Sequence, residues 1–205
     1  MRYQAVLFDL LTALVDSWTL WDSVAGSPEL GRRWRAAYLR RTYGCGDYRA
    51  YETLVGEAAA EVALPVDRPA ALTARWHELR PWPEAPRVLA AAARGRRLGV
   101  VTNCSTALGT HTARALDVEL ATIVTAEDAG AYKPDPRPYR HAIAALGLAP
   151  RDILFVAGSG YDLFGTAAVG LPTVWHNRVG LDPPAGAPEP LATWRSLGPL
   201  PDFLG

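Results

Sequence analysis

Five short runs of apolar and β-branched residues are spread along the chain, each bounded by polar or glycine-containing sequence. They are Ala5–Phe8, Leu98–Thr102, Thr122–Thr125, Ile153–Val156 and Thr173–Trp175. Continuous apolar runs of this length, without polar alternation, are typical of strands that are buried on both faces of a sheet. The pattern therefore predicts five buried strands.

Helical patterns separate the later strands. The predicted helices are Ser105–Leu116, Pro136–Leu146 and Asp162–Val169, and the last two end at Gly147 and Gly170. Strands that alternate with single helices form parallel sheets with right-handed crossovers. The alternation therefore predicts an α/β fold in which a parallel sheet is covered by helices.

Residues 15–84 depart from this alternation, because they contain helical patterns and no convincing strand. The helical stretches are Glu29–Thr42, Tyr48–Val62 and Arg68–Leu79, with Asp67 expected as an N-cap and Pro69 in the first turn. The proline-rich segment Arg80–Pro86 is expected to be a non-helical linker. We therefore predict an α/β core of residues 1–14 and 85–205 and a helical cap of residues 15–84. The tail from Leu181 to Gly205 is expected to wrap the core.

Composition narrows the function classes. The chain has 205 residues, and 21 acidic side chains balance 21 Lys and Arg side chains, so neither nucleic acid nor an acidic membrane is an expected partner. With no leader segment and no run of 18 apolar residues, we expect a cytoplasmic protein. Cys45 and Cys104 are too few for a disulfide framework and lack the spacing of a metal site.

One basic residue is unusual: Lys133 is the only lysine, so the other 20 of the 21 basic residues are arginine. An ammonium group is a more compact and more strongly hydrated charge than a guanidinium group. Because Pro134 favours an extended backbone at Lys133, this ammonium could be held against a carboxylate and keep it ionised. A solvent-facing lysine, left single by chance, is the alternative.

Carboxylates follow the first and fourth predicted strands, at the sheet edge where parallel sheets bind ligands. Asp9 could attack an electrophilic carbon and form an ester that water then hydrolyses, or it could simply form a turn or cap a helix. Asp162 could hold that water or cap the helix that it begins, and these two roles are compatible.

Polar uncharged residues follow the second and fourth strands. The hydroxyl of Thr102 and the amide of Asn103 suit an anion or a carboxylate, and a plain strand-to-helix turn is the alternative. Ser159 lies between two glycines, either where backbone approaches a ligand closely or in a flexible turn.

Four patches, in this order, resemble those of the haloacid dehalogenase (HAD) superfamily and, within it, the 2-haloacid dehalogenases. They are FDLLTAL around Asp9, VVTNCS around Thr102, AYKPDPRPY around Lys133 and LFVAGSGYDLFGTAAVGLPTVWHNRVG around Asp162. The resemblance spans nearly the whole chain. It implies a Rossmann-like parallel sheet with helices on both faces and a helical cap inserted after the first strand.

Two patches differ from those of the phosphatases in that superfamily. The phosphatases carry Asp-x-Asp in the first patch, where the second Asp is the general acid, and they bind Mg²⁺ partly through a Gly-Asp in the fourth. Here Leu11 replaces the second Asp, and Ala157-Gly158 replaces Gly-Asp. Mg²⁺ needs several oxygen ligands, whereas a halide leaves carbon without a proton or a metal. We therefore expect a dehalogenase with no metal and no other cofactor.

The resemblance also implies roles for individual residues. Asp9 would displace halide from C2 of a short 2-haloacid, and the ester would be hydrolysed with the help of Lys133, Asp162 and Ser159. Arg35 matches the halide-binding arginine, with help from Asn103, although it could also lie on a solvated helix face. The remaining expected substrate contacts are Thr102 and the backbone N–H groups near Leu10 and Leu11 for the carboxylate, and Tyr139, which matches a tyrosine of the family.

Some positions differ from the 2-haloacid dehalogenases. Their threonine is replaced by Ala13 or displaced to Thr12, and their Ser-Ser-Asn is Ala157-Gly158-Ser159. The second half-reaction could therefore be slow.

Three alternatives stay open: another carboxylate-bearing carbon electrophile as substrate, a catalytically impaired binding relative, and a weak Mg²⁺-dependent phosphatase. A homodimer is also open, because many relatives are dimers. Four tryptophans could wall an apolar pocket or belong to ordinary core: Trp18, Trp21, Trp34 and Trp76.

Overall fold

The computed structural model describes residues 3–205, and within them it contains a six-stranded parallel sheet. The strands are β1 Ala5–Asp9, β2 Arg97–Thr102, β3 Thr122–Thr125, β4 Ile153–Ala157, β5 Thr173–His176 and β6 Thr193–Trp194. Their spatial order is β3-β2-β1-β4-β5-β6, and every neighbouring pair is parallel. The predicted α/β fold is confirmed. The sequence pattern missed β6, because two residues give no periodic signal.

Ten helices surround this sheet in residues 3–205. They are α1 Ser17–Ala25, α2 Pro28–Gly44, α3 Tyr51–Glu61, α4 Arg68–Ala74, α5 Ala85–Ala92, α6 Thr106–Arg114, α7 Ala126–Ala129, α8 Pro136–Leu146, α9 Asp162–Ala168 and α10 Leu200–Leu204. Short 3₁₀ turns lie at Trp76–Glu78 and Pro150–Asp152, and a π-helical turn at Leu10–Leu14 directly follows β1. No helix in residues 3–205 is long and apolar enough to cross a membrane.

The central strand β1 shows why its run of apolar residues is continuous. Val6 and Phe8 belong to one buried cluster, which also contains residues of α1 to α5. Ala5 and Leu7 belong to a second cluster on the opposite face, with residues of α8 and α9. Since alternate side chains of a strand point to opposite faces, both sets are fully buried.

The segment between β1 and α5 leaves and rejoins the sheet at one place. Val15 and Pro81 form an antiparallel bridge. The N–H of Asp16 donates to the Arg80 carbonyl at 2.9 Å, and the N–H of Trp82 donates to the Leu14 carbonyl at 2.9 Å. This bridge lies at the predicted boundaries of the cap, and the division into core and cap stays a prediction.

The segment also corrects three predictions. The linker Arg80–Pro86 is partly helical, because α5 begins at Ala85 and Pro86 lies in its first turn, where a missing N–H costs nothing. Asp67 precedes α4, but its side chain makes no capping hydrogen bond and its backbone is already helical. The helix predicted for Arg68–Leu79 ends at Ala74 and continues only as a 3₁₀ turn.

Three of the four tryptophans considered above are buried in the core. Trp21 and Trp34 are buried with ring centroids 4.6 Å apart, and Trp34 Nε1 donates to the Val55 carbonyl at 2.9 Å. Trp76 is buried as well, and its Nε1 donates to Thr112 Oγ1 at 2.8 Å. Tyr51 also packs edge-on against Trp76. These rings form the core between the helices and the sheet.

The tail after Leu181 crosses the sheet edge before it ends. It contributes β6, which pairs with β5, and α10, which packs against α5.

Candidate active site

Asp9 is the last residue of β1, and the π-helical turn folds back over its carboxylate. Oδ2 accepts hydrogen bonds from the Thr12 N–H at 2.9 Å, the Thr12 hydroxyl at 2.5 Å and the Ala13 N–H at 3.2 Å. Because Asp9 has extended backbone angles while the turn is helical, the side chain acts as an N-cap. The carboxylate is thereby fixed in one orientation, with only 6% of the residue exposed.

Lys133 bridges the two buried carboxylates. Its Nζ lies 2.7 Å from Asp9 Oδ1 and 3.0 Å from Asp162 Oδ1. Asp162 Oδ1 also accepts a hydrogen bond from the Tyr139 hydroxyl at 2.8 Å, and Oδ2 accepts one from the Ser159 N–H at 3.4 Å. The Asp162 side chain therefore faces the ammonium group, and it does not cap the helix that it begins.

These contacts move the pKa values of the two aspartates in opposite directions. Burial by itself raises the pKa of Asp9, but the Lys133 ammonium and the hydrogen bonds from Lys133 and Thr12 outweigh burial and lower it. Burial raises the pKa of Asp162, and Lys133 offsets this only in part because the Asp9 charge adds to it. Burial lowers the pKa of Lys133, yet both carboxylates together raise it. Asp9 is consequently the stronger acid of the pair.

Asn103 positions the loop that carries Lys133. Its Oδ1 accepts from the Lys133 N–H at 2.7 Å, and its Nδ2 donates to the Lys133 carbonyl at 2.9 Å. Tyr38 of α2 donates from its hydroxyl to the Asn103 carbonyl at 2.8 Å. Sequence reasoning assigned Asn103 to halide binding and did not identify these contacts, because a side chain's choice between ligand and backbone depends on tertiary geometry.

Around these groups lies a cavity of about 50 Å³, more than the volume that one water molecule needs. Of the residues expected at the site, its lining includes Asp9, Leu11, Arg35, Asn103, Lys133, Ser159 and Asp162. The sequence patches thus meet at the carboxyl ends of the strands, although Asp9 and Lys133 alone are 124 positions apart in sequence.

Three expected residues lie outside the lining. The Leu10 side chain is buried in the core, and the Thr102 hydroxyl is paired with Cys104 Sγ at 3.6 Å. Tyr139 lies behind Asp162, where its hydroxyl donates to that carboxylate. The expectation that Thr102 binds the substrate carboxylate therefore finds no support in its placement, because its hydroxyl is engaged within the core.

Arg35 extends from α2 over the cavity. Its guanidinium carbon lies 4.1 Å from the centre of the Trp18 ring, and its Nη1 donates to Ser17 Oγ at 2.9 Å. Neighbouring Arg32 and Arg33 are exposed, whereas Arg35 is half-buried. Burial lowers the pKa of Arg35, and the Asp9 charge is among the interactions that oppose this. The solvated-face interpretation is therefore wrong for this residue.

Two tyrosines close one side of the cavity, and sequence reasoning missed both. Tyr43, in the last turn of α2, packs against Tyr161 with ring centroids 4.3 Å apart. Burial raises the pKa of Tyr43 well above its usual value, and the neighbouring Ser159 opposes this rise in part. Tyr43 lies in a helix, where an aromatic residue resembles ordinary core, and Tyr161 lies in the turn before α9, so only the tertiary arrangement identifies these rings. Of the other lining residues, Thr12 was one of the two alternatives for the family's threonine, whereas Tyr38, Leu39 and Pro134 were not predicted.

The donor set of this site contains few metal ligands. Within residues 3–205, no three His, Cys, Asp or Glu side chains are arranged to hold a metal ion. Asp9 and Asp162 are two carboxylates, and the Lys133 ammonium lies between them. A hard divalent cation at this position would have to displace that ammonium, so these residues do not fit an Mg²⁺ site.

Comparison with known proteins identifies relatives over the whole chain. Residues 4–170 match the family model of the haloacid dehalogenase-like hydrolases. Haloacetate dehalogenase H-2 of Moraxella sp. (strain B) is 27% identical, over 98% of this chain and 93% of the relative. The crystal structure of a dehalogenase superposes with a TM-score of 0.85 at 28% identity, covering 98% of this chain and 96% of the other. An L-2-haloacid dehalogenase structure superposes with a TM-score of 0.87 at 25% identity, covering 100% and 99% of the two chains.

Proposed function

The chain belongs to the haloacid dehalogenase-like hydrolases, and we propose that it hydrolyses the carbon–halogen bond of short 2-haloacids through an ester on Asp9, without a metal. One observation carries the proposal: a buried carboxylate, ionised by the Lys133 ammonium 2.7 Å away, lines a small cavity that also contains a guanidinium group. The names of the relatives, a haloacetate dehalogenase and an L-2-haloacid dehalogenase, support this substrate class.

The state of Asp9 supports nucleophilic attack at carbon. Because its pKa is lowered, the carboxylate is ionised throughout the neutral range. Oδ2 is occupied by Thr12 and Ala13, which leaves Oδ1 as the attacking atom. Holding this atom against a bound substrate supplies the proximity on which such displacements depend.

The residues opposite Asp9 support departure of a halide. Leu11 offers no proton, which a leaving alkoxide would need and a leaving halide does not. Arg35 supplies a fixed positive charge at the same cavity, suited to a departing halide or to the substrate carboxylate. In this proposal Asp9 Oδ1 forms a bond to C2 of the substrate, the carbon–halogen bond breaks, and the halide leaves toward the guanidinium group.

The residues beside Lys133 support hydrolysis of the ester. Asp162 has a raised pKa, so it is a better proton acceptor than an ordinary aspartate and lies at the cavity wall. Ser159 lines the same wall next to it. We assign to them the activation and placement of the water that attacks Cγ of Asp9.

The proposal is tested by halide release from chloro-, bromo- and fluoroacetate, with and without EDTA. We expect release that EDTA does not change and that Asp9→Asn abolishes, while Asp182→Asn, an exposed control, retains it. Turnover in ¹⁸O-water should place label in Asp9 before it appears in product. Label found only in product after a single turnover would instead show direct attack by water, and phosphatase activity that depends on Mg²⁺ would favour the phosphatase alternative.

A further inference from the structure

The two oxygens of Asp9 are held differently. Oδ2 accepts three hydrogen bonds, two from backbone N–H groups and one from the Thr12 hydroxyl, whereas Oδ1 faces the Lys133 ammonium. Three donors saturate the lone pairs of one carboxylate oxygen. If Oδ1 forms the ester, as the proposed function requires, then Oδ2 is its carbonyl oxygen, and it already lies among three donors.

Gly158 packs against the same atoms and leaves no room for a side chain. A Cβ at this position would lie 2.2 Å from Thr12 Oγ1, 2.4 Å from the Ala13 nitrogen and 2.6 Å from Asp9 Oδ2. Position 158 therefore cannot carry a side chain unless the turn Leu10–Leu14 shifts. The only side-chain hydroxyl recorded on Oδ2 is the one at position 12, among the contacts described for residues 3–205.

The turn that carries these donors is held by the surrounding core. The Val15 N–H donates to the Leu10 carbonyl at 3.1 Å and closes the turn. Trp82 Nε1 donates to the Thr12 carbonyl at 3.1 Å, and His176 Nδ1 lies 2.9 Å from the Ala13 carbonyl. Donors that are fixed before reaction stabilise a developing charge without a cost of reorganisation.

From this geometry we infer that Thr12 is a catalytic residue for the second half-reaction: its hydroxyl and the N–H groups of Thr12 and Ala13 form an oxyanion hole for Asp9 Oδ2. This inference rests on the proposed function. Water forms a bond to Cγ, the carbonyl electron pair moves to Oδ2, and Asp162 accepts the proton from water. The carbonyl then re-forms, the Cγ–Oδ1 bond breaks, and the departing alkoxide takes that proton and leaves as the hydroxy acid.

The inference is tested by separating the two half-reactions in Thr12→Ala, with Thr12→Ser as the variant that keeps a hydroxyl. With bromoacetate, we expect Thr12→Ala to release the first equivalent of bromide within a few-fold of the wild-type rate. Its steady-state rate should then fall by about 10²- to 10³-fold, the usual effect of removing one oxyanion donor. Intact mass spectrometry should show the ester accumulating on Asp9, and Thr12→Ser should behave like the wild type.

Other results overturn the inference. Wild-type turnover by Thr12→Ala would contradict it, and so would slow first-turnover release without ester, because that pattern places Thr12 in the first half-reaction only. If circular dichroism shows Thr12→Ala to be unfolded, Thr12→Val replaces it in the same assays. If the wild-type protein releases no bromide, both the proposed function and this inference are wrong. If the wild type is active and Thr12→Ala is unaffected, only the inference is wrong.

Discussion

Asn103 and Lys133 are joined by two hydrogen bonds between the side-chain amide of the first and the backbone of the second. Asn103 Oδ1 accepts from the Lys133 N–H at 2.7 Å, and Nδ2 donates to the Lys133 carbonyl at 2.9 Å. The segment after β2 thereby fixes the backbone from which the ammonium group reaches Asp9. Asn103 is in this respect a positioning residue for Lys133.

We predict that Asn103→Ala lowers both activity and stability. The substitution leaves the Lys133 N–H and carbonyl without their partners, and an unsatisfied buried polar group costs about 1–3 kcal/mol. Urea denaturation should show this loss, and bromide release in the first turnover should slow because Lys133 is less well placed. Asn177 offers a matched control, since its amide makes the same two contacts with Leu181, both at 2.8 Å. Asn177→Ala should lose stability but keep activity per folded molecule, and equal activity losses in both variants would contradict the positioning role.

We predict that Lys133→Met destabilises the protein strongly at neutral pH. It leaves the carboxylates of Asp9 and Asp162 buried without the ammonium between them, and loss of one partner from a buried ion pair costs about 3–5 kcal/mol. Since both carboxylates then favour the protonated form, the deficit should shrink as the pH falls from about 7 to about 5. Urea denaturation at the two pH values measures this. Arg49→Met breaks the exposed pair with Glu57 and should change the free energy of unfolding little. If Arg49→Met destabilised the protein as much as Lys133→Met, burial of the Lys133 pairs would not be the cause of the loss.

Lowering the pH should separate the two half-reactions. Asp9 keeps its charge to below its usual pKa of 3.8, because its pKa is lowered, while Asp162 becomes protonated above 3.8, because its pKa is raised. Once Asp9 is esterified its charge no longer raises the pKa of Asp162, and burial is the cause that still favours the protonated form. On that basis, ester formation should continue in the acidic range while water activation fails. We expect intact mass spectrometry to show an increasing fraction of Asp9 ester as the pH is lowered from about 7 toward about 4. Ester that accumulates instead toward high pH would contradict the assignment of Asp162 as the proton acceptor.

The lowered pKa of Asp9 and the raised pKa of Asp162 change the stability of the fold in opposite directions. The lowered pKa of Asp9 contributes stability above the unfolded value of 3.8, and this contribution is lost as the pH falls through the folded pKa. The raised pKa of Asp162 acts in reverse: the buried charge weakens the fold above its folded pKa, and protonation relieves this on acidification. The two contributions partly cancel in a pH titration of unfolding, so the stability profile alone does not report either residue.

The sheet was predictable because β1 to β5 are buried on both faces and therefore apolar throughout. Asp9, Lys133 and Asp162 were predictable as a group because parallel topology gathers strand ends, although chemistry known from the resemblance supplied their roles. The start of α5 was mispredicted because Pro86 was read as a helix breaker, while the first turn of a helix accepts proline.

What escaped prediction depends on contacts between segments distant in sequence. Tyr43 meets Tyr161, and Tyr38 meets Asn103, across separations of 65 positions or more, which no local pattern records. The sequence left open whether the family's threonine is replaced by Ala13 or displaced to Thr12. The answer depends on which of these two positions the turn after β1 directs at Asp9. The π-helical turn directs both backbone N–H groups and the position-12 hydroxyl to Oδ2.

We predict that Gly158→Ala lowers both stability and turnover. The added methyl group would lie 2.2 Å from the Thr12 hydroxyl oxygen and 2.4 Å from the Ala13 nitrogen, and because the second of these is backbone, the turn itself must shift. Overpacking of this kind costs about 1–3 kcal/mol. A shifted turn also moves the donors on Asp9 Oδ2, so kcat should fall more than KM rises. Gly56, within α3, has no atom within 4 Å of an added Cβ, and Gly56→Ala should stabilise by about 0.5–1 kcal/mol without changing turnover. Thermal denaturation and steady-state kinetics on both variants decide the matter: a Gly158→Ala protein as stable and as active as Gly56→Ala would mean that the close packing of position 158 against Thr12 is not required.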